Sequence, residues 1–411
     1  MSRDRIRILH PLLGLAGAVL LALVALEPIG AAPASAAAGS PLPSAVTGPA
    51  LTAPARAEKP PVFAYYYIWF SHGSWDRAKT DLPQLGTYSS ADPKVIAQHI
   101  TWAREAGIDG FIVSWKHEAR LDVPLQRLIA EAQRQQFKLI LLYQGLDFQR
   151  DPIDPKRVLD DLSWFSRTYG TNPVFDVFGR PAVIWSGTWK FTPDAIGMVR
   201  AGLGAPDSLL LLGSERSAAD YEARRDLFDG DAYYWSSADP TRTPGYQKRL
   251  DDLGAAVGAD EGAKWIAPIT PGFDARLIGG TSIVDRRGGE TYRLAWAAAA
   301  RSHPSAMGII SWNEFSENSH IEPSSANGPL YLELTRRLEG ESGGGQFALP
   351  TASARPSDGG NPVLGPVDSS DLSIDARGRQ QILSLISGFA LLIGLGLVIH
   401  RMRGRPSRSS H

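Results

Sequence analysis

Val62-Phe63-Ala64-Tyr65-Tyr66-Tyr67-Ile68-Trp69-Phe70 is an unbroken apolar and aromatic run, and no glycine-rich turn follows it. Short apolar or β-branched runs recur downstream with helical stretches between them, the pattern of βα units feeding a parallel sheet. The predicted strands are Val62 to Phe70, Gly110 to Trp115, Lys138 to Tyr143, Ala182 to Ser186, Ser208 to Gly213, Ala232 to Trp235, Trp265 to Ile269 and Ala306 to Trp312. Asp92-Pro93 opens the first helix as N-cap and first-turn proline, with Ile96, Ile100 and Ala103 sharing a face. Asp122 to Gln135, Pro155 to Tyr169, Thr192 to Ala201, Ala218 to Arg225, Tyr246 to Val257 and Glu290 to Arg301 supply further helices. A doubly wound open sheet more often carries a glycine-rich turn after its first strand. Its absence, with eight strands over about 280 residues, points to the α/β class and a (β/α)8 TIM-type barrel spanning residues 61–338.

The flanks of that domain read differently. Arg3, Arg5 and Arg7, the apolar run Leu12 to Leu26 and the small residues Ala34-Ser35-Ala36 make residues 1–36 an expected signal peptide. The Pro/Ala-rich stretch 37–60 reads as a disordered leader, and 339–381, rich in Gly, Ser, Pro and Asp, as a disordered stalk. Residues 382–399 are uncharged and apolar and precede Arg401, Arg403, Arg405 and Arg408, the signature of a transmembrane helix with a basic cytoplasmic tail over 400–411. The expected location is the cell membrane, single-pass, with the domain outside.

Composition narrows the chemistry. The 411 residues are 43% hydrophobic and 21% charged, ordinary for a globular protein. Lys plus Arg number 42 against 43 acidic residues, a net charge of −1 that offers nucleic acid no footprint. There is no cysteine, so disulfides, thiolate nucleophiles and Cys-ligated metals drop out together. No H-E-x-x-H or other His-rich ligand spacing suggests a metal, no cofactor is expected, and the Gly-x-Ser-x-Gly of a serine hydrolase is absent.

Barrel enzymes work from the loops at the C-terminal ends of their strands. Here those ends carry Tyr65-Tyr66-Tyr67-Ile68-Trp69-Phe70, Ser114-Trp115-Lys116-His117-Glu118, Tyr143-Gln144, Trp185-Ser186, Tyr233-Tyr234-Trp235 and Trp312-Asn313-Glu314. Aromatics converging on one face suggest a cleft on which sugar rings stack. After the eighth strand, Ser311-Trp312-Asn313-Glu314-Phe315-Ser316-Glu317-Asn318-Ser319-His320-Ile321-Glu322-Pro323 holds three glutamates. Glycosidic cleavage uses two carboxyl groups, one protonated and one ionised. Glu314 and Glu317, three apart, can face one cavity and are the expected catalytic pair. Glu322 reads as a ligand to a sugar hydroxyl or a backbone clamp. His72, His117 and His320 stand near strand ends as candidate sugar ligands, whereas His99 sits inside a helix and reads as structural. Arg286-Arg287-Gly288-Gly289 reads first as a turn, with a basic rim for acidic sugar as the other reading.

These pieces resemble the endo-α-mannosidase and endo-α-mannanase glycoside hydrolases, a family 99-like group with kinship to family 71-like barrels. The matching stretches are Tyr66 to Phe70, Thr87-Tyr88-Ser89-Ser90 with Asp92-Pro93 and His99, Ala106 to Gly110 into Ser114-Trp115, Pro271-Gly272-Phe273-Asp274, and Asn313 through Pro323. The resemblance implies a polysaccharide or oligosaccharide substrate and a metal-independent, retaining cleavage of an α-mannosidic bond. In it, the residue matching Glu314 deprotonates the sugar's own 2-hydroxyl, giving a 1,2-anhydro sugar, and the residue matching Glu317 serves as acid and then base. The cleft and the resemblance together nominate Tyr66, Trp69, Tyr88, Trp115, Tyr143, Trp185, Trp235, Asn313, His320 and Glu322 for substrate binding.

Three places depart from the family pattern. Phe315 replaces a tryptophan, Asn318-Ser319-His320 replaces Gly-Thr-Gln, and Leu142-Tyr143-Gln144-Gly145 stands where Ile-Glu-Pro-Tyr is common. The lost carboxylate at Gln144 changes which sugar is held. A non-catalytic carbohydrate-binding surface protein and a membrane-anchored factor in envelope polysaccharide assembly are the other readings of the same cleft.

Overall fold

The computed structural model describes residues 59–147, 149–204 and 208–340. The expected signal peptide, transmembrane helix and tail, all but the last two residues of the leader and all but the first two of the stalk lie outside the described residues. Among the described residues no helix is long and apolar enough to cross a membrane.

Eight parallel strands form one sheet: β1 Val62–Tyr67, β2 Gly110–Trp115, β3 Lys138–Gln144, β4 Ala182–Ser186, β5 Leu210–Leu212, β6 Gly230–Ala232, β7 Lys264–Ile269 and β8 Ala306–Ile309. Neighbours in sequence are neighbours in space, and β8 pairs with β1 through Met307 opposite Val62 and Ile309 opposite Ala64. The joint between β5 and β6 is the narrowest. It is a single bridge from Gly213 to Asp231, with Gly213 N–H donating to Gly230 O (3.0 Å) and Ala232 N–H to Gly213 O (2.9 Å). This bridge closes the ring, and the expected (β/α)8 architecture is what the chain forms.

The helices are α1 Pro93–Glu105, α2 Ala119–Gln135, α3 Pro155–Tyr169, α4 Pro193–Gly202, α5 Ala218–Glu222, α6 Tyr246–Gly258, α7 Glu290–Arg301 and α8 Leu330–Leu338. Asp92 and Asp154 cap α1 and α3, each accepting the N–H two residues on at 2.9 Å, with proline at the first helical position. The eighth helix was not anticipated, although Tyr331, Leu334, Thr335 and Leu338 have helical spacing.

Three strands end earlier than their apolar runs suggest. β1 stops at Tyr67 because the Asn313 side chain takes both backbone groups there: Tyr67 N–H donates to Oδ1 at 2.8 Å and Nδ2 donates to Tyr67 O at 3.0 Å. β8 stops at Ile309, beyond which the Ile310–Ser311 peptide is cis and Ser311 N–H turns to Ser319 O. β6 begins and ends two to three residues before its predicted span of 232–235. Gly230 admits the shift: its φ is +142°, and a Cβ there would lie 2.0 Å from Lys264 O.

Strand side chains alternate between two buried layers. Ala64, Tyr66, Val113, Trp115, Leu141, Tyr143, Val183 and Trp185 pack outward among the helices. Phe63, Tyr65, Tyr67, Ile112, Ile140, Leu142, Ile184 and Leu212 fill the interior, with Phe70, Trp75, Tyr88 and Phe315 continuing that cluster at its C-terminal end.

Candidate active site

The loop after β8 is folded on itself. Ser319 N–H donates to Glu314 O, Ile321 N–H to Ser311 O, and Ser311 Oγ accepts Glu314 N–H at 2.9 Å. Glu314 is buried, and its Oε1 accepts Ser316 N–H at 3.0 Å. Glu317 is half-buried, with its backbone carbonyl fixed by Asp274 N–H (2.8 Å), while its Oε2 is enclosed and accepts no hydrogen bond among the described residues.

Beside these carboxyls stands a pair of phenols. Tyr67, at the end of β1, and Tyr234, just past β6, have hydroxyls 2.7 Å apart across the mouth. Burial raises both phenols well above their usual range, and the charges of Glu317 and Glu314 raise them further. The four groups therefore share one electrostatic neighbourhood. The two glutamates feel each other as well. Burial raises Glu314 to about 7, against Ser316 N–H and the Lys79 cation; burial and then the Glu314 charge raise Glu317 to about 8, with Arg150 opposing. The Lys79 charge thus favours the ionised form of the first carboxyl and the Arg150 charge that of the second. Such a pair shares a proton near neutral pH, one carboxyl ionised while its neighbour stays protonated.

Because these carboxyls hold protons more tightly folded than at the ordinary 4.5, the folded chain binds more protons than the unfolded one between about pH 4.5 and 8. Stability consequently falls as pH rises through that window. Glu317→Gln is expected to flatten the slope and raise Tm at pH 8 by about 2 °C or more. Melting curves on both sides of the window check this, and an unchanged slope would contradict the assignment of Glu317 as a proton-holding carboxyl.

The nominated binding residues divide. Trp69 is on the β1 loop, 38% exposed, with its ring 4.5 Å from that of Tyr67, and is the exposed tryptophan at the mouth. Tyr66, Trp115, Tyr143, Trp185 and Trp235 face the helices instead of the mouth. Tyr66 hydrogen-bonds His99 Nδ1 (3.0 Å), Trp115 donates to Asp122 (2.9 Å), Tyr143 donates to Asp161 (2.9 Å), Trp185 packs on Phe191 and Trp235 stacks on Tyr246. The correction follows from the two-residue strand period: a residue one position off the mouth-facing series lands on the opposite face. Tyr67 and Tyr234, which sequence reasoning passed over, are the inward neighbours of Tyr66 and Trp235.

Tyr88, Asn313, Glu322 and His320 form a buried frame. Glu322 accepts from Tyr88 (2.8 Å) and pairs with His99 (3.1 Å), so it clamps side chains instead of backbone. Asn313 Nδ2 also reaches Tyr88 Oη at 3.3 Å. His99 is structural, as expected. His320 bonds Asp81, His117 pairs with Asp122 and stacks on Trp164, and His72 is exposed. Arg286 donates to the carbonyls of Asn318 and His320, while Arg287 pairs with Asp239, so this segment forms a turn that braces the glutamate loop. On the facing wall, Gln144 Nε2 donates to Ser114 Oγ at 2.7 Å, and β4 contributes Ser186 in register with Gln144. The departures Phe315 and His320 touch one another, their rings 3.9 Å apart and nearly parallel. Among the described residues no group of three or more His, Asp or Glu is arranged to hold a metal ion.

No family model matches the chain. It is 26% identical over 292 residues to the glycoprotein endo-α-1,2-mannosidase of Mus musculus, and 25% identical over 303 residues to the endo-α-1,2-mannosidase-like protein of Homo sapiens. The matches cover 62% and 64% of both partners, so the chain spans somewhat less than two thirds of these relatives' length. Two structures of the GH99 endo-α-mannosidase from Bacteroides thetaiotaomicron superpose with TM-scores of 0.60 and 0.59 at 22% and 20% identity, covering 68% of this chain and 96% of theirs. A glycoside hydrolase-like protein superposes at 0.55 and 17% identity, covering 70% of this chain and 97% of its own. The resemblance carried by the quoted motifs therefore holds: in sequence the chain is a relative of glycoprotein endo-α-1,2-mannosidases, and its barrel has the fold of the GH99 endo-α-mannosidase.

Proposed function

We propose that the chain is a glycoside hydrolase that cleaves an α-linked, mannan-like glycan with retention of anomeric configuration, anchored to the membrane by the apolar segment 382–399 and exported by the segment 1–36. The observation that carries the catalytic reading is the pair Glu314 and Glu317, buried and half-buried in one electrostatic neighbourhood at the C-terminal end of the barrel beside the Tyr67–Tyr234 hydroxyls. The endo-α-1,2-mannosidase relatives supply the substrate class.

In this reading Glu314, whose ionised form the Lys79 charge favours, takes the proton from the sugar's 2-hydroxyl as that oxygen attacks the anomeric carbon. Glu317 gives its proton to the departing glycosidic oxygen. Water then delivers a proton to Glu317 while its oxygen opens the 1,2-anhydro ring, and Glu314 returns the first proton to the 2-oxygen. Two inversions leave the configuration retained, a substrate-assisted variant of the two-carboxylate scheme. Trp69 offers the apolar platform on which a sugar face rests, and Gln144 with Ser114 and Ser186 lines a neutral opposite wall.

The test is hydrolysis of a panel of α-mannans, α-glucans and bacterial envelope glycans, with NMR identification of the first-formed anomer. The expected result is turnover of an α-mannan with the α product appearing first. Binding without turnover across the panel would favour the non-catalytic carbohydrate-binding reading, and a β product would require another carboxylate pair.

A further inference from the structure

Glu314 and Glu317 hang from the backbone on either side of Phe315, so whatever fixes that ring limits where both carboxyls can stand. Phe315 is fully buried, edge-on to Trp75 at 5.6 Å and stacked on His320 at 3.9 Å with 17° between the planes. His320 is tied in turn to Asp81 in the β1 loop, Nε2 to Oδ2 at 2.9 Å. Asp81 also accepts from Ala326 N–H (2.8 Å) and Asn327 Nδ2 (3.0 Å), and Gln84 N–H donates to Pro323 O (2.8 Å), so two loops from adjacent strands are zipped together behind the glutamates. Burial lowers His320 to about 4, which makes the ring neutral at pH 7, and Asp81 Oδ2 then accepts its Nε2–H. Nδ1 is buried without a donor. A neutral ring held through one edge has its plane set by the Asp81 bond, and that plane is the surface on which Phe315 rests.

Resting on the reading of Glu314 and Glu317 as the catalytic pair, we infer that Phe315 and His320, anchored on Asp81, are a coupled pair of positioning residues for those carboxyls. Two of the three departures from the family pattern then meet in one repacked contact. Neither ring touches substrate; each acts through the geometry of the glutamate loop.

The experiment compares full-length variants on reducing-end-labelled α-1,2-mannotetraose. Displacing a reacting group by about 1 Å costs on the order of 10²-fold, so His320→Leu should lower kcat by about that factor while KM stays within about twofold. His320→Gln, whose Nε2 can still donate to Asp81, should recover about tenfold of the loss. Phe315→Leu alone should resemble His320→Leu, and the double variant should be no worse than either, the non-additivity of a single unit. Should His320→Leu fail to fold, His320→Gln and Phe315→Leu carry the same kcat-against-KM comparison. Multiplicative effects, a glutamine no better than leucine, or a kcat that only tracks the folded fraction would overturn the inference. If Glu314→Gln and Glu317→Gln are inactive while His320→Leu keeps the parental kcat, the positioning role alone falls. If those glutamate variants keep full rate, the catalytic reading itself falls.

Discussion

Glu317→Gln is expected to lower turnover of an unactivated α-mannoside by about 10²–10⁴-fold, the range for losing a positioned general acid. The physical basis is the enclosed Oε2 and the raised pKa, which keep a proton available beside the leaving oxygen near neutral pH. A glutamine keeps the shape and cannot give that proton. On an activated aryl α-mannoside, whose leaving group departs without a proton, the same variant should lose far less as long as the first step limits the rate. The measurement is kcat/KM on both substrates. Equal losses on the two would mean that Glu317 does something other than protonate the leaving group.

Glu314→Gln should instead lose activity on both substrates by an amount near the upper end of about 10²–10⁴-fold, because attack by the 2-hydroxyl precedes any help from a better leaving group. A 2-deoxy substrate should be equally inert with the parental protein, even where it competes for binding. Inhibition constants and turnover measured side by side separate these effects. Clean hydrolysis of the 2-deoxy sugar would exclude the anhydro route, and retained activity of Glu314→Gln on the aryl glycoside would assign the base elsewhere. Lys79, which opposes the burial penalty on Glu314, fits a residue that must be ionised at the start of the cycle.

The parts of this architecture legible in sequence were those with strong local causes. Asp92-Pro93 and Asp154-Pro155 announce helix starts, and Gly110–Trp115 and Ala182–Ser186 are strands to the residue. Facing was not legible. A barrel strand is buried on both sides, so Tyr65-Tyr66-Tyr67 shows no polar alternation to tell the interior from the helix layer. Choosing Tyr66 over Tyr67, and Trp235 over Tyr234, was a choice between residues of like chemistry separated only by register. A partial signal did exist: the polar residues Ser114, Gln144 and Ser186 stand at or next to the ends of three strands in one common parity, and that parity marks the mouth. Glu314 and Glu317 were legible because carboxylates in an aromatic setting are conspicuous. Lys79, Asp81 and Arg150 were not, since they reach the site from irregular loops whose path no periodicity encodes.

The hydroxyl contact between Tyr67 and Tyr234 joins strands that are not neighbours around the ring. It works as a crossbar from the β8–β1 side, where the glutamates stand, to the side containing the slender β5–β6 joint. A hydrogen-bond ladder this short has the least resistance to local opening. Breathing at that seam would tug Tyr234 and, through it, Tyr67, the residue whose backbone Asn313 grips one position before Glu314. The barrel's narrowest joint is thereby linked to the glutamate side of the mouth, and substitutions at Gly213 or Asp231 can be felt there as a change in rate.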